Sequence, residues 1–136
     1  MRKLYSNVDA SVLLYVINRQ EEINCQRQDL SPATEYLQVS CKVLKEGDKF
    51  RPHKHLHIER KTLTTHESWV ILKGVIKATF YDIDDSVYSE EIMSSGDCAI
   101  SFSAGHSFEV LEDDTMLYEF KNGPYYGVEK DKEFIR

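Results

Sequence analysis

The chain has 136 residues, a length that suits one domain with a modest hydrophobic core. Hydrophobic residues make up 41% and charged residues 29%, as in a soluble globular protein, and the net charge is −6. An acidic chain without a long basic run argues against nucleic acid as a partner. No apolar stretch approaches the ~20 residues that cross a bilayer, so we also expect no membrane partner.

The cysteines and the N-terminus bear on the compartment. Cys25, Cys41 and Cys98 are odd in number and lack Cys-x-x-Cys spacing, which indicates reduced thiols. The positive start at Met1–Lys3 is followed by Asp9 and other polar residues that interrupt any signal-peptide core. We therefore expect a cytoplasmic protein.

The first third of the chain gives the weakest structural signals. Val12–Ile17 is apolar without clear alternation, so it fits a strand or a short helix, and we favour a strand at a barrel edge. Ser31–Glu35 predicts one helical turn, with a serine N-cap followed by proline. From Leu37–Val43 the apolar period becomes two, which predicts a strand, and Glu46–Asp48 is a turn signal.

Short apolar runs separated by turn signals continue to residue 120. The histidines between 53 and 57 would lie on one strand, and further strands are predicted at Ser68–Leu72, Val75–Ile83, Tyr88–Met93, Cys98–Phe102, His106–Val110 and Met116–Phe120. The turns between them are predicted at Asp82–Asp85, Ser94–Asp97 and Glu112–Asp114. This spacing predicts an all-β sandwich or barrel, and two antiparallel sheets with a jelly-roll connection fit the count.

A metal site is indicated by the histidines. His53 and His55 are two residues apart, so on a strand both rings point to the same face. Glu67 opens a predicted strand, and His106 opens another. Three imidazoles and a carboxylate suit a divalent transition metal such as Fe, Zn, Ni or Mn. Glu67 either ligates the metal directly or holds a ligating histidine by its second ring nitrogen.

His57 leaves one choice open. It lies on the same face as the other two histidines, so His55 and His57 also form a His-x-His pair. If His53 and His55 are the pair, His57 is a candidate catalytic acid or base, with an exposed hairpin position as the alternative. His66 is excluded because alternation sends it to the face opposite Glu67.

This pattern resembles the first motif of the cupins, Gly-x5-His-x-His-x3,4-Glu-x6-Gly. The match runs from Gly47 to Gly74, and the five residues between Gly47 and His53 make the resemblance imply the pair His53 and His55. Eleven residues separate His55 from Glu67 and imply a longer hairpin at Leu56–His66. Gly96 and His106 are similar to the glycine and histidine of the second motif, where Phe102 replaces the proline and Val110 the asparagine. The segments 51–55 and 122–125 resemble small single-domain cupins often associated with bacterial surface-polysaccharide genes.

The resemblance implies an all-β, cupin-type double-stranded β-helix, that is, a jelly-roll barrel. Residues 1–136 would form one cupin domain, with an N-terminal extension at 1–36, the barrel at 37–120 and a C-terminal tail at 121–136. It implies a divalent metal in the barrel on His53, His55, Glu67 and His106, and a homodimer.

The implied activity is a sugar or sugar-nucleotide isomerase or epimerase in polysaccharide biosynthesis. The alternatives are a non-haem iron dioxygenase, a non-catalytic sugar-binding module, and a metal-free epimerase or ketoisomerase.

Five further residues are candidates for contacting a small-molecule ligand. Arg51 and Arg60 are cations suited to an anionic substrate such as a nucleotide-linked sugar, or are simply solvated. Trp69 and Phe108 share the predicted faces of Glu67 and His106, so they either contact the ligand or form the barrel core. Tyr125 caps a barrel mouth or makes a dimer contact.

Overall fold

The computed structural model describes residues 1–136 and contains almost exclusively β-structure. The ten strands are Arg2–Tyr5 (β1), Leu13–Asn18 (β2), Gln28–Asp29 (β3), Ser40–Cys41 (β4), Glu67–Lys73 (β5), Val75–Tyr81 (β6), Val87–Ser94 (β7), Cys98–Ser101 (β8), His106–Val110 (β9) and Met116–Lys121 (β10). A short 3₁₀ helix at Gln20–Glu22 and a four-residue helix, Val128–Asp131 (α1), complete the elements. Neither helix has the length and apolar character needed to span a bilayer.

The strands form three antiparallel sheets. One has five strands in the order β1-β2-β8-β5-β10, one has three in the order β7-β6-β9, and β3 pairs with β4. The all-β prediction is therefore confirmed. No sheet closes on itself, because β9 pairs only with β6 and β10 pairs only with β5.

The main core lies between the five-stranded and the three-stranded sheet. On β6, Ile76, Ala78 and Phe80 are buried while their neighbours are partly exposed, which is the period of two expected of a strand. Phe80 packs against Tyr15 of β2, with ring centroids 4.6 Å apart. Eleven buried side chains from both sheets form this cluster.

A second apolar cluster covers the other face of the five-stranded sheet. Val16 of β2 and Ile100 of β8 pack there with Leu30 and Phe102. Because β2 is buried on both faces, its sequence is a continuous apolar run without alternation. The strand preference for Val12–Ile17 is confirmed, but the edge position was wrong, since β1 forms that edge.

Two turns depend on glycine. Gly74 joins β5 to β6 at φ +82°, and Gly96 joins β7 to β8 at φ +87°, a backbone region that side chains disfavour. Gly74 also has no room for a side chain, because an added Cβ would lie 2.9 Å from the Cα of Thr115. The strands predicted between residues 68 and 120 and their turns are confirmed, to within a few residues at each end.

Three local predictions before residue 67 were wrong. Ser31–Glu35 is a hydrogen-bonded turn and not helical, and only Ser40–Cys41 of the predicted strand Leu37–Val43 forms a strand. Residues 42–66 contain no strand or helix, so the predicted strand with three histidines is absent. This segment is rich in charge, includes Pro52 and is exposed along most of its length, so no apolar face holds it against a sheet.

Candidate functional site

Glu67 and His106 lie together where two strands of different sheets begin. Glu67 is the first residue of β5 and His106 the first of β9, and Glu67 Oε1 lies 3.4 Å from His106 Nε2. Trp69 is two residues beyond Glu67 and shares its face, so its indole Nε1 donates a hydrogen bond of 3.0 Å to the same oxygen. The Trp69 and His106 rings are in contact, with centroids 4.2 Å apart. Two of the four predicted metal ligands are therefore brought together.

The Glu67 carboxylate is charged although it is only 5% exposed. Burial alone would raise the pKa of the Glu67 carboxyl, because it penalises the ionised form. The attraction of the nearby His106 ring outweighs burial, the positive charge of Lys132 adds to it, and the pKa of Glu67 falls to about 2. The site therefore holds a fixed negative charge in a largely buried position.

The second ring nitrogen of His106 has no partner. His106 Nδ1 is buried and makes no hydrogen bond, whereas Nε2 faces Glu67. An unsatisfied buried polar atom costs free energy, commonly about 1–3 kcal/mol. His106 therefore has an unused capacity to bind a proton or a further group.

A cavity of about 440 Å³ opens beside the pair. Its lining includes Glu67, Ser101 and His106 together with residues 131–135 of the C-terminal tail. Thr65 and Ser107 add hydroxyl groups to the lining. A cavity of this size with a few polar groups suits a small, hydroxylated ligand.

The C-terminal tail contacts the rest of the protein at both ends of its cavity-lining stretch, at Asp131 and at Ile135. Lys121 of β10 forms a 2.9 Å ion pair with Asp131, and its ammonium lies 4.3 Å from the centroid of the Tyr125 ring. The Ile135 side chain occupies the space beside Gly105, where an added Cβ would lie 2.3 Å from Ile135 Cδ1. No packing role was predicted for this tail. The apolar Ile135 within a charged tail was the available signal for a packed segment.

The remaining predicted ligands lie elsewhere. His53, His55 and His57 are exposed in the segment 42–66, and the His53 and His55 rings are 5.6 Å apart. His53 Nδ1 lies 2.9 Å from the Arg51 carbonyl oxygen. No three His, Cys, Asp or Glu side chains are grouped so that they could hold a metal ion. The four-ligand site is thus not assembled in this structure.

The five predicted ligand-contacting residues do not line the cavity. Trp69 is buried and contacts both Glu67 and His106. Phe108 was predicted to contact a ligand or to form part of the core, and its side chain is 42% exposed on β9. Arg51 and Arg60 are exposed in the segment 42–66, and Tyr125 is exposed in the tail.

His66, which was excluded from the ligand set, is buried away from the Glu67–His106 pair. Its ring centroid lies 5.3 Å from that of Phe102, and its Nε2 lies 3.5 Å from Glu35 Oε2.

Comparison with known proteins gives no relative. No family model matches the sequence, and no curated protein or solved structure matches it either.

Proposed function

We propose that this chain is a cupin-like jelly-roll protein that binds a divalent transition metal through Glu67 and His106, completed by His53 and His55. Its ligand would be a sugar or sugar nucleotide, and its reaction an isomerisation or epimerisation in polysaccharide biosynthesis. The observation that carries the proposal is the buried carboxylate–imidazole pair at the wall of the cavity.

The spacing of that pair suits a shared ion. A separation of 3.4 Å is long for a nitrogen–oxygen hydrogen bond. Two ligand atoms each about 2.1 Å from a tetrahedral ion lie about 3.4 Å apart. The charged carboxylate and the imidazole are also donor types that Zn, Fe, Ni and Mn accept. Two of the four donors therefore fit a metal as they stand, and the two loop histidines must move to join them.

Thr65, Ser107 and Trp69 have roles that need no movement, whereas a role for His57 requires its segment to move. A bound divalent metal would act as a Lewis acid toward a carbonyl or hydroxyl oxygen of the ligand. Thr65 and Ser107 would hydrogen-bond the ligand hydroxyls, and Trp69 would hold the Glu67 carboxylate in place. His57 would transfer a proton if the loop carries it to the cavity.

The test is the metal content of protein purified without chelator, measured by mass spectrometry of the elements. Near-equimolar Fe, Zn, Ni or Mn is expected, and His106→Ala and His53→Ala should each lose most of it. His57→Ala lies in the same segment and serves as the matched control, because it should keep its metal. Loss in His57→Ala with retention in His53→Ala would instead assign the pair His55 and His57. Metal at the wild-type level in His106→Ala would refute the site.

A metal-free acid–base enzyme is the second candidate, and one observation favours it. Glu67 and His106 are already paired without any contribution from residues 42–66. A carboxylate that orients a histidine is a common arrangement for proton transfer. Epimerase or isomerase turnover that persists in chelator, and that His106→Ala abolishes while His53→Ala does not, would establish this candidate over the metal site.

A homodimer completes the proposal. One face of β5 and β10 exposes four large apolar side chains, which are Leu72, Met116, Tyr118 and Phe120. Successive exposed residues of β10 on one face form a continuous apolar strip, and such strips commonly mark protein interfaces. A second copy presenting the same strip would cover it by two-fold symmetry.

A further inference from the structure

We propose that residues 127–136 form a strap over the Glu67–His106 cavity, which swings away to admit a ligand and closes again over it. Because the strap concerns how the cavity is entered, this inference goes beyond the proposed function and applies to whatever ligand the cavity takes. Three observations carry it: the strap supplies part of the cavity lining, few contacts hold it, and it begins at a glycine with free space around it.

The lining of the cavity comes from two kinds of segment. Glu67, Ser101 and His106 lie on β5, β8 and β9, whose backbones are hydrogen-bonded into sheets. Strap residues 131–135 also line the cavity and belong to no sheet. The groups that would act on a ligand are therefore fixed, whereas part of the wall that encloses it is not. This division is typical of sites that a closing segment covers.

Few contacts hold the strap. Six of its ten residues are charged, and the helix α1 within it buries no side chain. Its backbone hydrogen bonds are all internal. The side-chain contacts are the 2.9 Å ion pair of Asp131 with Lys121 and the packing of Ile135 against Gly105. A segment with so little buried surface belongs to the least stable part of a structure, so it can open while the sheets stay folded.

The contact of Ile135 with Gly105 can be lost without disturbing the core. The Gly105 carbonyl accepts hydrogen bonds from the Tyr81 N–H and the Tyr15 hydroxyl, so the seat for Ile135 is fixed. Ile135 Cδ1 fills the space of a missing side chain, since a Cβ added to Gly105 would lie 2.3 Å from it. Ile135 belongs to neither apolar cluster, so its departure leaves both clusters packed.

The strap begins at a residue that suits a hinge. Gly127 has a φ of +100°, and no atom lies within 4 Å of an added Cβ. A glycine with free space around it can absorb the change in backbone angles that moves a whole segment. The helix α1 follows directly and would move with the strap. Closure would exclude water from Glu67 and His106 and so strengthen their electrostatic interactions with a ligand.

The experiment measures how fast diethyl pyrocarbonate acylates each histidine, by mass spectrometry of peptides, at about pH 7, where an ordinary imidazole is mostly neutral. Ile135→Ser should speed acylation of His106 by about fivefold or more, because the open strap becomes more populated. Asp131→Asn removes the ion pair and should act in the same direction. The matched controls are Val128→Ser and Glu129→Gln. Both residues are exposed on the strap and do not line the cavity, so each control should keep the wild-type rate.

The other histidines provide internal references. His53, His55 and His57 are exposed and should react fast in every variant. His66 is 4% exposed and packed against Phe102, so it should stay protected as long as the protein is folded. All samples are treated with chelator before the reaction. A failure of the metal site would therefore leave the comparison between strap variants unchanged.

Three results would overturn the proposal. One is acylation of wild-type His106 as fast as that of the exposed histidines, because the strap would then close nothing. Another is an equal His106 rate in Ile135→Ser and Val128→Ser. The third is acceleration of His66 together with His106, because the strap would then open only when the whole protein unfolds.

Discussion

Replacing Glu67 with glutamine in metal-free protein tests whether the buried carboxylate is charged and supports the fold. Glutamine keeps the shape and still offers an oxygen to the Trp69 indole, but it removes the charge that His106 and Lys132 favour. A pKa lowered from 4.5 to about 2 is equivalent to about 3 kcal/mol of stability, at about 1.4 kcal/mol per pKa unit. Because glutamine retains one hydrogen bond, we expect a loss of about 2 kcal/mol just above pH 4.5.

The pH dependence has a definite sign. The folded-state pKa of Glu67 lies below the unfolded value, so the stabilisation is fully present above pH 4.5 and is lost as the pH falls toward about 2. The difference in unfolding free energy between the wild type and Glu67→Gln should therefore shrink across this window. Above it, the difference should be at its largest.

The assay is urea unfolding of chelator-treated protein at several values between about pH 7 and about pH 3. Trp69 is the only tryptophan, is 3% exposed, and contacts both Glu67 and His106, so its fluorescence reports on the site itself. Glu112→Gln is the control, since Glu112 is exposed and forms no ion pair, and it should change stability by less than about 0.5 kcal/mol. A difference between wild type and Glu67→Gln that stays constant down to about pH 3 would refute the charged carboxylate.

Two further predictions concern the turn after β5 and the apolar strip on β10. Gly74→Ala should destabilise the protein by about 2 kcal/mol or more in urea unfolding, because it combines a positive φ with a Cβ 2.9 Å from Thr115 Cα. Gly47→Ala has a similar φ of +85° but no atom within 4 Å of the added Cβ, so it should cost less, and equal losses would contradict the steric argument. In light scattering the wild type should be a dimer and Tyr118→Arg a monomer, while Tyr126→Arg, which is 72% exposed in the tail, should remain dimeric. A monomeric wild type would remove the homodimer.

The strands from Glu67 onward could be predicted because local and tertiary signals agree there. In β6 the apolar residues alternate along the chain and one face packs on the opposite sheet, so the sequence period equals the burial period. The glycines at 74 and 96 mark turns that need positive φ, and the aspartate cluster at 82–85 includes Asp85 at φ 64°. Glu67 and His106 were each predicted to open a strand, but their approach was predicted only as part of a four-ligand metal site, of which the other two members lie elsewhere.

The earlier part of the chain could not be predicted in the same way. Alternation at Leu37–Val43 is as regular as on β6, yet only two residues form a strand, because no neighbouring strand other than β3 lies alongside to pair with. β2 gave an ambiguous signal because it is buried on both faces. The Lys121–Asp131 ion pair and the contact between Ile135 and Gly105 join residues distant in sequence, and no local pattern encodes them.

Residues 42–66, which form no strand, and the free edge of β9 bear on how the two loop histidines could reach Glu67 and His106. The backbone groups of β9 that face away from β6 have no strand partner, and this strand begins with His106. Between residues 49 and 61 the chain has five basic residues and one acidic residue, and the apolar Leu56 and Ile58 are exposed. Alternation would place these two side chains on one face of a strand and the histidines on the other.

In the proposed metal site, charge would oppose the approach of this segment to Glu67 and His106. Lys54 stands between two histidines, and protonated imidazoles beside it would repel one another and the nearby arginines. Metal ligation requires neutral imidazoles and so removes part of that repulsion, while the Glu67 carboxylate supplies the opposite charge at the site. The free energy of metal binding would then also be free energy for ordering the segment. In this proposal the assembled four-ligand site and an ordered segment are therefore one state of the protein.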